Sequence, residues 1–536
     1  MRNVMRILEI GVAVCVPAIV AAQGTGAAVQ PDTGVRRATA PAVGGPPVRR
    51  IASASSLSSE PLGAVGSVVE LRDGRILVND VVRRRLLLMD TSLSKVEIVL
   101  DSIAESSNTY GLRPGTLIPY RGDSVLFVDP ASYAMLVLDP DAKITRVRSV
   151  WRVQDVFLFG STTGNYGYPA TDAQGRIVYR VSAVPAPPKV APPAGVPWFP
   201  QQPDSAFVVA VNLDTRKLDT LGAIRTPKAP MQIRQTAEGF FSVNQVINPL
   251  PATDEWAVLS DGTVAFIRGV DYRIEYRAAD GTLTSSPKQP YEWLRLTDSL
   301  KDKLLDSVKT ANRRPRQTAF ISSMIRWANM YNRPYPENFK IPSDYVPSPG
   351  FMKEWRLPTD LKLPANYIYG CPPGVEPTMI ASAPAPAGAS TASGASVAMP
   401  VAPAGMPVMP GGLPGGPAGT PSCIPSPVMI SGGNAPPPPE YRDISVMERG
   451  ELPDYRPPFG SGAVRADADG NLWVRTNPSK PTPGGPIFDV IDHSGAMIDR
   501  VQLPPGYAIV GFGKGRTVYL SMRDAKGIHV ARVRLR

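Results

Sequence analysis

Apolar positions along this chain fall in short runs cut by polar breaks, and the run-and-break pattern repeats. In VGSVVELRDGRILVNDVVRRRLLLMD (residues 65–90) an apolar run at 68–71 meets the break Arg72-Asp73-Gly74. A second run, 75–78, is followed by a polar loop opening at Asp80 and a third run, 86–89, ending in Asp90. Short runs rich in Val, Ile and Leu and punctuated by Asp-Gly predict strands joined by tight turns, in which Gly supplies the positive φ. Related units occupy 62–101, 112–150, 172–214, 256–281, 463–492 and 508–533. Asp73 and Asp123 hold matching positions in the first two, fifty residues apart, the spacing of a four-stranded unit with one longer loop.

Six small sheets, each unable to bury its own apolar faces, predict an all-β, six-bladed β-propeller. The last unit shows only three strands, so the N-terminal stretch VRRIASA (48–54) is expected to complete the sixth blade. Blades one to four with this closing strand take 48–290, and blades five and six take 440–536.

Between them the period changes. Leu296, Leu300, Leu304 and Val308 recur every four residues, with Thr297 placed to cap and Asp298 in the first turn; beyond Pro315, Phe320, Met324 and Ile325 share a face. This predicts a helical hairpin over 291–335, then an extended, aromatic-rich insert over 336–373. Residues 374–439 are nearly all Ala, Pro, Gly, Met and Ser, too little apolar surface to offset ordering, and are expected to be disordered. The Pro-rich stretch 185–203 reads as a loop within blade three, because proline removes ladder donors.

At the N-terminus, Arg2 and Arg6, an apolar run at 10–20 and Val20-Ala21-Ala22 read as a cleaved signal peptide over 1–22, followed by a linker over 23–47; an uncleaved anchor is the alternative. Cys15 does not make this a lipoprotein signal, since Val14 stands where a small residue is needed. The protein is thus expected to be exported, periplasmic or extracellular, a monomer, and with no membrane segment after signal removal. Loss of Arg2, Arg6 and Glu9 changes the net charge from +11 to +10, which suits solubility and weak attraction to acidic envelope polymers; nucleic acid is not expected as a partner. Cys371 and Cys423 would bracket the low-complexity segment either as a disulfide or as two free thiols.

Catalytic chemistry is sparse. His493 and His529 are the only histidines, and no phosphate-binding glycine loop, G-x-S-x-G elbow or Cys/His dyad is present. Asp80, Asp129, Asp254 and Glu255 stand near loop ends as candidate oxygen ligands for Ca²⁺, although turn and cap roles account for them as well. Arg83 and Arg84 in the run Arg83-Arg84-Arg85 are candidate contacts for an anionic ligand such as a carboxylated glycan, or a solvated rim. Tyr166, Tyr168, Trp198 and Phe199 lie in inserts, where aromatics stack on sugars or peptides or pin their own loops.

The Asp-Gly strand, polar loop and Arg-led strand of DGRILVNDVVRRRLLLMD and DGTVAFIRGVDYRIEYRAADG resemble NHL-like six-bladed propellers. With the helical insert after the fourth unit and ADADGNLWVR opening the fifth, the chain is similar to exported propeller proteins of environmental bacteria. That resemblance implies the fold and leaves the activity open. The expectation is a non-catalytic binding or scaffold protein for an envelope protein, peptide or glycan. The alternative is a propeller hydrolase or lyase with an oxygen-ligated metal in the channel.

Overall fold

The computed structural model describes residues 45–535 apart from 52–53, 104–108, 160–163, 184, 186–202, 228–229, 236–240, 332, 344, 346–437 and 480–481. Six antiparallel sheets form the blades of a propeller. From the innermost strand outward, blade one is Val65–Glu70, Ile76–Asp80, Arg85–Met89 and Val96–Leu100. Blade two is Thr116–Pro119, Val125–Asp129, Ala134–Leu138 and Ile144–Ser149, and blade three Ala170–Thr171, Ile177–Ser182, Ser205–Val211 and Leu218–Arg225. Blade four is Glu255–Val258, Val264–Arg268, Arg273–Arg277 and Leu283–Ser285. In blade five, Val464–Ala466, Leu472–Thr476, Ile487–Ile491 and Met497–Gln502 succeed one another, and Ala508–Gly513, Thr517–Arg523 and Ile528–Arg534 begin blade six.

The strands alternate, but between two apolar neighbours rather than between core and water. Ile76 and Val78 pack with Val510, Tyr519 and Val530 of blade six, whereas Leu77 between them packs with Leu117 and Phe127 of blade two. Val264 and Phe266 face blade three while Ala265 and Ile267 face blade five. A period of two thus sends successive side chains to opposite blade junctions, and second strands such as Ile76–Asp80 are buried throughout. Each of the six junctions holds one apolar cluster, including that between the sixth and first blades, so the ring is closed. At about 1.5–3 kcal/mol per fully buried large apolar side chain, these junctions carry the fold.

Buried aromatic hydroxyls add directional pins. Tyr110 donates to Asn79 Oδ1 across the first junction (2.8 Å), Tyr272 to Asp489 Oδ2 across the fourth (2.9 Å) and Tyr519 to Glu70 Oε2 across the closing one (2.6 Å). The turns between first and second strands repeat one geometry: Gly74, Gly262 and Gly470 sit at φ of 86°, 84° and 86°.

The N-terminal segment closes the ring, but in two pieces. Ser56–Leu57 pairs antiparallel with Ile528–Arg534 as the outermost strand of blade six. Val48–Arg50, expected there, instead runs parallel along Met497–Gln502 as a fifth strand of blade five. The parallel direction could not be read from so short a run. An ion pair from Arg49 to Asp499 holds it, and His529, buried within blade six, lies with Nδ1 2.9 Å from the Ser58 carbonyl.

The helical insert follows blade four, and Thr297 caps it as expected, its Oγ1 accepting the Leu300 N–H. The expected hairpin is instead one helix, Asp298–Tyr331, which continues through Pro315. A proline deletes one backbone donor and bends a helix without obliging it to reverse, and Ala311, Arg314 and Gln317 around it favour helix. Its first half contributes Leu305 to a cluster with Val246, Met447 and Leu452. The second half packs Ile321 and Ile325 against Phe339, Ile341 and Tyr345 of the insert, while Leu300 is exposed.

Candidate functional site: the central channel

Propeller geometry turns the innermost strand of every blade edge-on to the axis, and all six line a common cavity of about 820 Å³. Its walls run from the first turns of the blades, at Asp123, Gly175, Ser260, Ala468 and Lys514, to Thr116 and Tyr168 further in. This volume is that of a small-molecule site, able to take a disaccharide or a short peptide end.

The carboxylates that line the channel are engaged by the protein itself. Glu70 accepts the Tyr519 hydroxyl and the Lys514 backbone N–H (3.1 Å). Asp172 accepts from Arg176 Nε at 2.8 Å, and Asp467 takes Trp473 Nε1–H at 2.9 Å together with Asn471. Asp123 stands 3.7 Å from Arg72 at the rim. Among the lining cations, Arg121 donates to the Gly175 carbonyl and to Asp214.

Arg465 differs. It is half-buried, with Cζ 3.8 Å from the centroid of the Tyr168 ring, and among the described residues no carboxylate pairs with it. Its N–H groups are absent from the buried donors left without a partner, so they reach the open cavity.

Glycines let Tyr168 sit there. A Cβ on Gly167, at φ 81°, would strike the Trp256 indole, whose Nε1–H donates to the Tyr166 carbonyl at 3.2 Å. Gly164, at φ 70°, lies directly against the Tyr168 hydroxyl, and Gly462 against the Gly164 carbonyl. Behind this contact Glu255 accepts the Gly462 N–H at 2.9 Å. Burial pushes the Glu255 carboxyl up to about 8, against the pull of the Gly462 N–H and the Arg180 charge. Arg180, itself driven down by burial, lies over the Tyr166 ring at 5.3 Å.

The carboxylates singled out from the sequence stand apart from the cavity lining. Asp80 accepts the N–H groups of Gly63, Ala64 and Arg83, and Asp129 those of Ala131 and, through its other oxygen, the Ser132 hydroxyl. Asp254 accepts from Arg225 N, Gly269 N and Arg268. Among the described residues no three His, Cys, Asp or Glu side chains converge in a way that could hold a metal ion. Arg83, exposed, donates to the Pro61 carbonyl at 2.6 Å, and Arg84 is half-buried at φ 53°, both in the loop between the second and third strands of blade one. His493 is exposed on a turn. Cys371 and Cys423 lie outside the described residues.

Tyr168 was visible in the sequence as an insert aromatic. Arg465 was not, since one arginine in an apolar strand carries no spacing signal; its position on an innermost strand, just before ADADGNLWVR, was the available clue.

No protein-family model and no curated protein matches the chain. Among solved structures it is similar to selenomethionine-substituted virginiamycin B lyase from Staphylococcus aureus, with 10% identity over 45% of this chain and 76% of that one and a TM-score of 0.23. A gluconolactonase from Xanthomonas campestris shares 13% identity over 46% and 91% of the two chains, with a TM-score of 0.21. A protein from Bacteroides fragilis described as a "putative exported protein" shares 12% identity over 45% and 58%, with a TM-score of 0.24.

Proposed function

We propose that this chain is an exported binding protein that receives part of an envelope protein, peptide or glycan in its central channel and releases it unchanged. The observation that carries this reading is the 820 Å³ cavity walled by all six innermost strands, whose carboxylates are occupied by partners within the protein. Such groups are poorly placed to gather a metal or to serve as free bases, whereas a guanidinium and a tyrosine at the wall suit recognition. Export rests on the N-terminal sequence; among the described residues no helix is long and apolar enough to cross a membrane. Arg83 and Arg84 serve in this reading as outer contacts for acidic partners.

The test is a titration of the mature protein with short envelope-type glycans and peptides, alongside the variant Ala468→Trp, which narrows the channel at its turn end. At least one ligand should bind, be recovered intact and bind several-fold more weakly to the variant. Cleavage of the ligand, or binding indifferent to Ala468→Trp, would overturn the reading. Stoichiometric bound metal in the purified protein would favour the hydrolase or lyase alternative.

A further inference from the structure

We infer that the Arg465–Tyr168 pair is an anchor for a carboxylate: the group inside the channel is the acidic end of the ligand. This inference rests on the channel-binding reading and gives it a chemistry. A guanidinium withdrawn from bulk water needs a counter-charge, because lost hydration must be replaced. The other arginines at the channel have one: Arg72 meets Asp123 and Arg121 meets Asp214. Arg465 has only the face of Tyr168, at 3.8 Å.

Stacking of this kind occupies one face of the guanidinium and leaves the N–H groups in its plane free. That arrangement fits the two oxygens of a carboxylate in a paired hydrogen-bonding geometry, which a compact ammonium cannot reproduce. Asp467, two residues along the same strand end, does not serve as the partner, since its oxygens are taken by Trp473 Nε1–H, Asn471 and the Asp469 N–H. The ring beneath Arg465 is itself set by tight packing on Gly164 and by Trp256 holding the Tyr166 carbonyl, so the cation is positioned before any ligand arrives.

Two small sources of a carboxylate fit the volume, an acidic sugar and a peptide C-terminus, and the experiment separates them. A uronic-acid disaccharide and its methyl ester, and an alanine tripeptide with a free or an amidated C-terminus, are titrated calorimetrically into the full-length mature protein. One acid should bind at least about tenfold more tightly than its neutral counterpart, and Arg465→Ala should erase that preference. Arg465→Lys should restore only part of it, because the charge returns without the planar fork. A far-ultraviolet circular dichroism spectrum of Arg465→Ala that matches the parent protein is the control that folding is intact. Equal binding of acid and neutral forms, a preference that survives Arg465→Ala, or no binding of either acid at millimolar concentration would each overturn the inference. A ligand blocked by Ala468→Trp but indifferent to Arg465→Ala would break the anchor and leave the channel reading standing; indifference to both would break the reading itself.

Discussion

Blade five carries two arginines whose surroundings differ in one respect. Arg500, on the outer strand, donates through Nε to Asp489 Oδ1 at 3.0 Å, and the other oxygen of that carboxylate takes the Tyr272 hydroxyl from blade four. Asp489 is sealed from solvent; burial drives its carboxyl upward, and the Arg500 charge and the tyrosine hydroxyl pull it back. Arg465, on the innermost strand of the same blade, has an aromatic face and no carboxylate. The first arginine has its charge matched by the fold and the second does not. A cation completed from within belongs to the architecture, whereas one left open at a cavity wall is available to a ligand.

The strongest challenge to this contrast is Asp489→Ala. It removes the partner of both Arg500 and Tyr272, leaving a half-buried cation and a fully buried hydroxyl unanswered, so chemical denaturation should show a loss of about 3 kcal/mol. A loss no larger than that of Arg465→Ala would erase the distinction. Next comes deletion of residues 45–57, which strips the strand lying along Arg500, since Val48 is in register with Arg500, and also the outermost strand of blade six. The melting temperature should fall by at least about 5 °C, with carboxylate binding at Arg465 retained at temperatures where the protein stays folded.

A smaller effect lies behind the channel contact, at Glu255. In the unfolded chain its carboxyl titrates at its ordinary value of 4.5, but in the folded state burial lifts it to about 8, with Arg180 and Arg475 favouring the charged form and Asp254 opposing it. Between these values the folded protein holds a proton that the unfolded chain has released. Stability from this group is therefore full below pH 4.5, falls as pH rises and levels off above about 8, with a slope of at most about 1.4 kcal/mol per pH unit. Glu255→Gln should remove that slope in melting curves taken across the window. An unchanged slope would show that the carboxyl is already ionised behind the Arg465 contact. Smallest of all should be the stability change of Arg465→Ala, within about 0.5 kcal/mol, because only a stacking contact is lost. A larger loss would place Arg465 with Arg500 as part of the architecture.

Much of the ring was legible in the chain. Repeated apolar runs cut by short polar breaks, Asp-Gly in blades one, four and five, located every blade, and the missing fourth strand of the last unit pointed to closure from the N-terminus. The closing strand was assigned too simply: three residues of extended chain carry no sign of direction, so a parallel addition to blade five could not be told from an antiparallel one to blade six. Pro315 likewise marks a weak point in a helix without saying whether the chain bends or reverses there. Asp80, Asp129 and Asp254 looked like loop-end ligands because sequence shows a carboxylate but not the backbone N–H groups folded around it.

What the sequence determined by itself is the local and periodic part: strands, turns, the helical insert and the number of blades, each set by spacing within a few residues. The tertiary structure alone decided which charges are answered. Arg465 and Arg500 are indistinguishable as letters; Arg500 meets Asp489 across adjacent strands of its own blade, whereas the Tyr168 face against Arg465 and the Tyr272 hydroxyl on Asp489 come from segments hundreds of residues earlier, brought in only by the packing of blade on blade.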